Sequence, residues 1–246
     1  MSTMILYREL HLDHIESCPY LQERAVRHAN FLASELSPVE ISVLLAQGWR
    51  KFGIHFFRPA CPDCMDCTPL RIHVPSFDPS KSQRRVARKN RDMTVRFLPS
   101  RYQPEYYNLF QTHSRSRFGQ DTDIDHFLHL FHAPSCPGLV SEFRLGERLV
   151  GLGYLDWGRD CLSSVYFVFD PAFSDRSPGI FGVLAEIEHA RALRLDWYYL
   201  GYFVPGCPTM AYKDRFNPRQ YLDWNTGIWV PAQTSVPNAS TPNKRF

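Results

Sequence analysis

The sequence predicts an α+β fold in two parts, an N-terminal cysteine-containing domain over residues 1–91 and a mixed-sheet domain over 92–232. Three observations predict it. Three cysteines on an irregular loop and a run of cations mark the first part, while closely spaced strands followed by a helix and another strand mark the second. A chain of 246 residues also exceeds the usual single-domain size.

Residues 18–30 read as the start of a helix after Pro19. Residues 37–47 make a better helix, with Ser37 as N-cap, Pro38 at the first helical position, Glu40 completing a capping box and Gly48 as the stop. Residues 49–58 and 70–74 read as strands around the loop 59–69, which Pro59 and Pro69 keep irregular. Ser80 caps a basic helix over 80–91, followed by a strand at 93–98 and helices at 104–116 and 123–132. Strands then occupy 139–145, 148–157 and 161–169, the first two joined by a Gly146-Glu147 turn. Ser177-Pro178-Gly179 opens a helix reaching about Leu193, and a strand at 197–203 follows. The polar, proline-containing tail 233–246 reads as disordered.

The composition, 44% hydrophobic and 22% charged, suits a protein with a packed core and excludes wholesale disorder. No segment approaches the ~20 apolar residues of a membrane-spanning helix, and the N-terminus lacks the pattern of a secretory signal. A cytoplasmic, reducing location is expected, consistent with seven cysteines of which three share one tight spacing. The net charge of +3 is unevenly spread. Lys81, Arg84, Arg85, Arg88, Lys89 and Arg91 fall within eleven residues with no acid, and without them 22 basic residues face 25 acidic ones.

These features point to chemistry. Cys61-x-x-Cys64-x-x-Cys67, with Cys18 as a fourth donor, can converge on Zn²⁺ or an iron–sulfur cluster; reduced structural thiols in a turn are the alternative. Lys81, Arg84, Arg85 and Arg88 share one helical face that, with Lys89, suits phosphate-backbone contact; otherwise it is a solvated charged surface. The turn before the helix at Pro178 presents backbone amides to an anion. His126, His129 and His132 diverge around a helix and make a poor metal site. Cys207 has no marked partner base and reads as a structural thiol.

The succession hairpin, strand, helix, strand in the second half resembles the N-acetyltransferase (GNAT) core, with Asp175–Gly182 as a degraded coenzyme A loop in which Phe181 takes a small residue's place. Several blocks together resemble the bacterial branch of the arginyl-tRNA–protein transferase family, the aspartate/glutamate leucyltransferases. They are Cys18-Pro-Tyr-Leu21, Phe57-Arg-Pro-Ala-Cys-Pro-Asp-Cys-Met-Asp-Cys67, Ser80-Lys-Ser-Gln-Arg-Arg85 with Lys89-Asn90, Tyr166-Phe-Val-Phe-Asp-Pro171, and Tyr199-Leu-Gly-Tyr202 with Cys207, Met210-Ala-Tyr-Lys213 and Phe216-x-Pro218. Gln22-Glu23, Trp49 and Phe52 depart from the family pattern.

The resemblance implies an acyltransferase that moves leucine from leucyl-tRNA to proteins with N-terminal Asp or Glu, marking them for degradation by the N-end rule. The ester is already activated, so transfer requires no cofactor beyond any metal or cluster at the cysteines, and no membrane. In that reading Asp170 takes or orients the amine proton, and Tyr166 and Tyr202 line the cleft and polarise the carbonyl. Gly179 lies at the acceptor end of the tRNA, while Arg71, Lys213 and Arg215 are candidates to receive the acidic side chain. The donor stays open between leucyl- and arginyl-tRNA, because both kinds of transferase share these blocks, and a coenzyme A-dependent N-acyltransferase is the rival enzyme.

Overall fold

The computed structural model describes residues 4–133 and 135–232, so the tail 233–246 lies outside the described residues. The strands are β1 (Ile5–Leu12), β2 (Glu16–Ser17), β3 (Ala25–Val26), β4 (His28–Ser34), β5 (Arg50–Phe52), β6 (His55–Pro59), β7 (Thr68–His73), β8 (Thr94–Pro99), β9 (Gly138–Leu145), β10 (Arg148–Trp157), β11 (Cys161–Phe169), β12 (Trp197–Phe203), β13 (Arg219–Leu222) and β14 (Trp229–Pro231). The helices are α1 (Pro38–Ala46), α2 (Lys81–Lys89), α3 (Pro104–Phe118), α4 (Ile124–Phe131) and α5 (Pro178–Ala192).

Local signals placed most of these elements. Ser37 and Glu40 close a capping box on α1, and Ser80 and Gln83 close another on α2. The Gly146 turn joins β9 to β10 in register, with Arg148 opposite Leu145. The helix expected at 18–30 is absent: Ala25–Val26 pairs with β2, and His28–Ser34 runs between β1 and β6. Burial of Ala29, Phe31 and Ala33 on alternate positions is worth more there than an isolated helical turn.

A four-stranded sheet, β1-β4-β6-β5, packs with α1 around Phe31, Ile41, Leu45 and Phe56. The large sheet runs β14-β13-β7-β12-β11-β10-β9-β8. Strand β7 lies between β13 and β12, and α2 packs on α5, so the large sheet recruits residues well before the boundary expected at 91. All neighbours in this sheet are antiparallel except β11 and β12, which α5 connects. Alternation divides the sheet's residues between two cores. Leu155, Leu162, Leu70 and Ile72 pack with Ile187 of α5, whereas Val140, Leu152 and Tyr154 pack with Tyr106 and Phe110 of α3 and with Phe127 of α4.

Beneath α5, Glu186 is buried and accepts hydrogen bonds from the hydroxyls of Ser141, at 2.8 Å, and of Tyr198. A Cβ on Gly153 would come within 2.3 Å of both the Glu186 carboxylate and Ser141 Oγ, so this close approach requires glycine. Burial pushes the Glu186 carboxyl up to about 7 from its ordinary 4.5. An acid whose pKa rises on folding binds its proton more tightly in the native state, so stability declines as pH climbs between those two values. Urea unfolding at pH 5 and pH 7.5 should show a loss of about 2 kcal/mol from this group. Glu186→Gln, which keeps the acceptor and removes the charge, should flatten that slope.

Candidate active site

Strands β11 and β12 pair in parallel only from Cys161–Ser163 against Trp197–Tyr199. Beyond that point the ladder ends and a cleft of about 900 Å³ opens between them, lined by Ser164, Tyr166 and Phe169 on one side and Leu200 and Tyr202 on the other. A register irregularity after the Tyr154–Tyr166 pair re-aims β11 at this wall. Gly201, at φ +82°, makes the turn in β12 beside Lys213 Nζ.

Other elements complete the walls. Pro19 and Tyr20 come from the N-terminal segment, Arg50 and Phe52 from β5, His113 and Arg117 from α3, Ser177 and Gly179 from the start of α5, and Tyr212 and Lys213 from the 3₁₀ turn Ala211–Arg215. Four cations, Arg50, Lys51, Arg117 and Lys213, line it against one carboxylate, Asp156, which Lys51 neutralises at 2.7 Å. The cleft is therefore an anion-attracting cavity with aromatic walls.

Arg50 is its most unusual member. The side chain is 7% exposed and lies against the rings of Tyr199 and Tyr202, at 5.3 and 5.5 Å. Nη1 donates to the Trp49 carbonyl at 2.6 Å, but Nε and Nη2 have no partner. Such unpaired buried donors are costly to the free protein. Burial and the neighbouring Arg50 pull the Lys213 ammonium down to about 8, and its Nζ donates to the Tyr202 carbonyl at 3.0 Å.

Of the residues expected from sequence, the cleft gathers Tyr166, Tyr202, Lys213 and Gly179. Tyr202 spends its hydroxyl on the Gly48 carbonyl at 2.7 Å, which suits a wall rather than a donor to substrate. Asp170 lies outside the lining: Oδ1 caps the following turn through Ala172 N at 3.0 Å and Oδ2 accepts from Arg148 Nη2 at 2.5 Å. Both oxygens are engaged, so the base role expected for it has no support. Arg71 is stacked between Trp197 and Trp229, 3.6 and 4.4 Å from their centroids, and bonds Gln220. Arg215 is exposed and offers only its carbonyl, to Gln83. Neither faces the cleft. Arg50 was missed, although a pair of cations between Trp49 and Phe52 in a strand destined for burial was a usable signal.

The basic helix α2 stands beside the mouth. Lys89 pairs with Asp175 at 2.9 Å, Asn90 donates to the Arg176 carbonyl at 2.9 Å, and Arg176 pairs with Asp92 at 2.7 Å, tying α2 to the turn that leads into α5. Lys81, Arg85 and Arg88 remain exposed, and Arg84 meets Asp78 at the surface. No side chain caps the first turn of α5, and with Pro178 lacking an N–H and the Ile180 and Phe181 amides donating to the Ser177 carbonyl, the Gly179 amide is the one that can face an anion.

Cys18, Cys61, Cys64 and Cys67 are half-buried free thiols near one another. Burial, reinforced by Cys61, Cys18 and Cys64, pushes the Cys67 thiol up to about 12. The donor set has the chemistry for a soft ion. Among the described residues no group of three His, Cys, Asp or Glu side chains is placed closely enough to hold one metal ion.

Residues 105–223 match the family model "Arginine-tRNA-protein transferase, C terminus" and residues 16–85 match "Arginine-tRNA-protein transferase, N terminus". The chain belongs to the arginine-tRNA–protein transferase family. The transferase is 33% identical to the aspartate/glutamate leucyltransferase of Chromobacterium violaceum, over 86% of this chain and 89% of the relative. It is 37% identical to that of Marinobacter nauticus, over 78% and 82%. Among solved structures, FemX superposes with a TM-score of 0.45 at 10% identity, covering 81% of this chain and 80% of FemX. The transferase is thus an enzyme that moves an amino acid from a charged tRNA to a protein. No helix among its described residues is long and apolar enough to cross a membrane.

Proposed function

We propose that the transferase carries leucine from leucyl-tRNA to the N-terminal amine of cytoplasmic proteins that begin with Asp or Glu, committing them to degradation. The observation that carries this reading is Arg50, a buried guanidinium with two unpartnered nitrogens in the cleft. A planar fork of this kind matches a carboxylate. Lys213, which Arg50 perturbs, supplies a second cation on the same cavity. Relatives named aspartate/glutamate leucyltransferase are consistent with acidic acceptors and a leucyl donor.

The parts divide the work. Lys81, Arg85 and Arg88 bind tRNA phosphates, and the uncapped start of α5 at Gly179 faces the acceptor end. The cleft between β11 and β12, in a GNAT-like core, holds the ester carbonyl against the incoming amine, and the aromatic walls exclude water that would hydrolyse it. Tyr166 stays protonated, because burial raises its hydroxyl above the ordinary value, and so serves as a donor. The aminoacyl ester is already activated, so no cofactor enters the bond-making step. A zinc ion or iron–sulfur cluster at Cys18, Cys61, Cys64 and Cys67 would act as a brace behind Tyr20.

The test offers leucyl-tRNA and arginyl-tRNA separately with peptides that begin with Asp, Glu, Lys or Ala. Leucine should pass to the Asp and Glu peptides alone. Transfer to Lys but not Asp would overturn the acceptor assignment, and arginine in place of leucine would overturn the donor.

A further inference from the structure

With Asp170 committed elsewhere, the attacking amine needs another proton acceptor. We propose that His113 takes the proton from this amine and returns it to the departing ribose oxygen of the tRNA. The inference rests on the transfer reaction and not on the identity of the amino acid carried.

His113 ends the apolar face of α3 begun by Tyr106, Leu109 and Phe110, so helical spacing aims it at β11. It is 3% exposed and lines the cleft. Its Nδ1 lies 3.0 Å from the Phe169 carbonyl oxygen, and its ring meets that of Phe169 edge-on at 4.8 Å. The Phe169 N–H lies 3.3 Å from the same nitrogen, so Nδ1 meets both a donor and an acceptor; in the tautomer that gives its Nδ1 proton to the carbonyl, the shorter of the two contacts, the Nε2 lone pair is left for the cleft. The two Phe169 backbone contacts and the edge-on ring hold the imidazole in one orientation, as a general base requires.

The surroundings keep it neutral. Burial lowers the imidazole below its ordinary value, and Arg117, one turn along α3, acts in the same direction, while the Phe169 carbonyl opposes them. Tyr166 on β11 faces the same cleft as an uncharged phenol. Alternative acceptors in the lining are occupied. Asp156 is bound to Lys51, and Lys213 Nζ is a donor to the Tyr202 carbonyl.

The proton balance is complete without a co-reactant. The amine nitrogen bonds to the leucyl carbonyl carbon, Nε2 accepts the proton released from nitrogen, and the C–O bond to ribose breaks as Nε2–H protonates the leaving oxygen. An amide and a free tRNA hydroxyl result, with His113 again neutral.

His113→Asn separates this role from a structural one, because the asparagine amide can still donate to the Phe169 carbonyl yet cannot shuttle a proton. Under saturating aminoacyl-tRNA, kcat should fall at least about 100-fold, with the acceptor KM and melting temperature little changed. His113→Gly should recover part of its activity when imidazole is added. An Asn variant within threefold of wild type, or a Gly variant indifferent to imidazole, would overturn the assignment. Each comparison uses whichever aminoacyl-tRNA the wild-type enzyme accepts, so failure of the leucine donor is read separately from failure of His113.

Discussion

Arg50→Met is expected to lower kcat/KM for an Asp-initiated peptide by about 100-fold or more while leaving the protein at least as stable. Removing one partner of a buried, hydrogen-bonded charge pair costs about 2–5 kcal/mol, and each 1.36 kcal/mol is tenfold. On the proposed reading Arg50 makes that pair with the bound acceptor; in the free enzyme its Nε and Nη2 are unpartnered. The free protein therefore bears an uncompensated cost that methionine, apolar and of similar reach, removes. Activity should fall while the melting temperature holds or rises, a combination that a structural arginine does not give. The check is the ratio of kcat/KM for Asp- and Ala-initiated peptides. It should collapse in the variant, and an unchanged ratio would show that Arg50 does not read the acceptor.

Asp156→Ala should destabilise the fold by about 3–5 kcal/mol, because it strands Lys51 in the interior. The two side chains are 9% and 5% exposed, for Lys51 and Asp156 respectively, with Nζ and Oδ1 2.7 Å apart. Lys51 belongs to β5 of the small sheet and Asp156 to β10 of the large one, so the pair stitches the two sheets together. Cys136 Sγ donates to the same carboxylate at 3.5 Å, helping to satisfy it. Urea denaturation measures the loss. The double variant Lys51→Met/Asp156→Leu should regain most of it, since an apolar pair of similar volume avoids the desolvation of both charges. A single variant within 1 kcal/mol of wild type would mean that water reaches Lys51 and that the stitch carries little.

Much of the second half was legible in the sequence. The Gly146 turn, the dense β-branched and aromatic run of β11, and the Pro178-Gly179 start of α5 are signals carried by neighbours in the chain. The capping box of α1 and the Ser80 cap of α2 were legible for the same reason, since each is made within a single turn; that Gln83 completes a second box came from the structure. The N-terminal sheet was not. Strand β1 is mostly exposed and mixes polar and apolar residues, and β4 becomes a strand by pairing with β6, whose partners Phe57 and Phe56 lie more than twenty residues away.

The site divides along the same line. Sequence motifs named Tyr166, Tyr202, Lys213 and Gly179, and the cleft contains all four. Asp170 and Arg71 stand in the same motifs but serve a helix cap and an aromatic stack, roles defined by Arg148 and by Trp197 and Trp229. Arg50 and His113 carry no motif of their own. Their importance depends on what surrounds them: a guanidinium deprived of partners, and an imidazole oriented by the carbonyl of Phe169, 56 residues away.

By itself the sequence determined the enzyme's family, its basic helix and the elements whose turns and caps lie within a few residues. Only the tertiary structure decided where β11 and β12 part, how far the large sheet reaches back into the first half, and which charged groups are left unpaired in the gap. Caps and turns are settled by contacts a few bonds apart, and so leave a mark in local spacing. Burial and pairing are settled by residues brought together through space, and no local spacing encodes them.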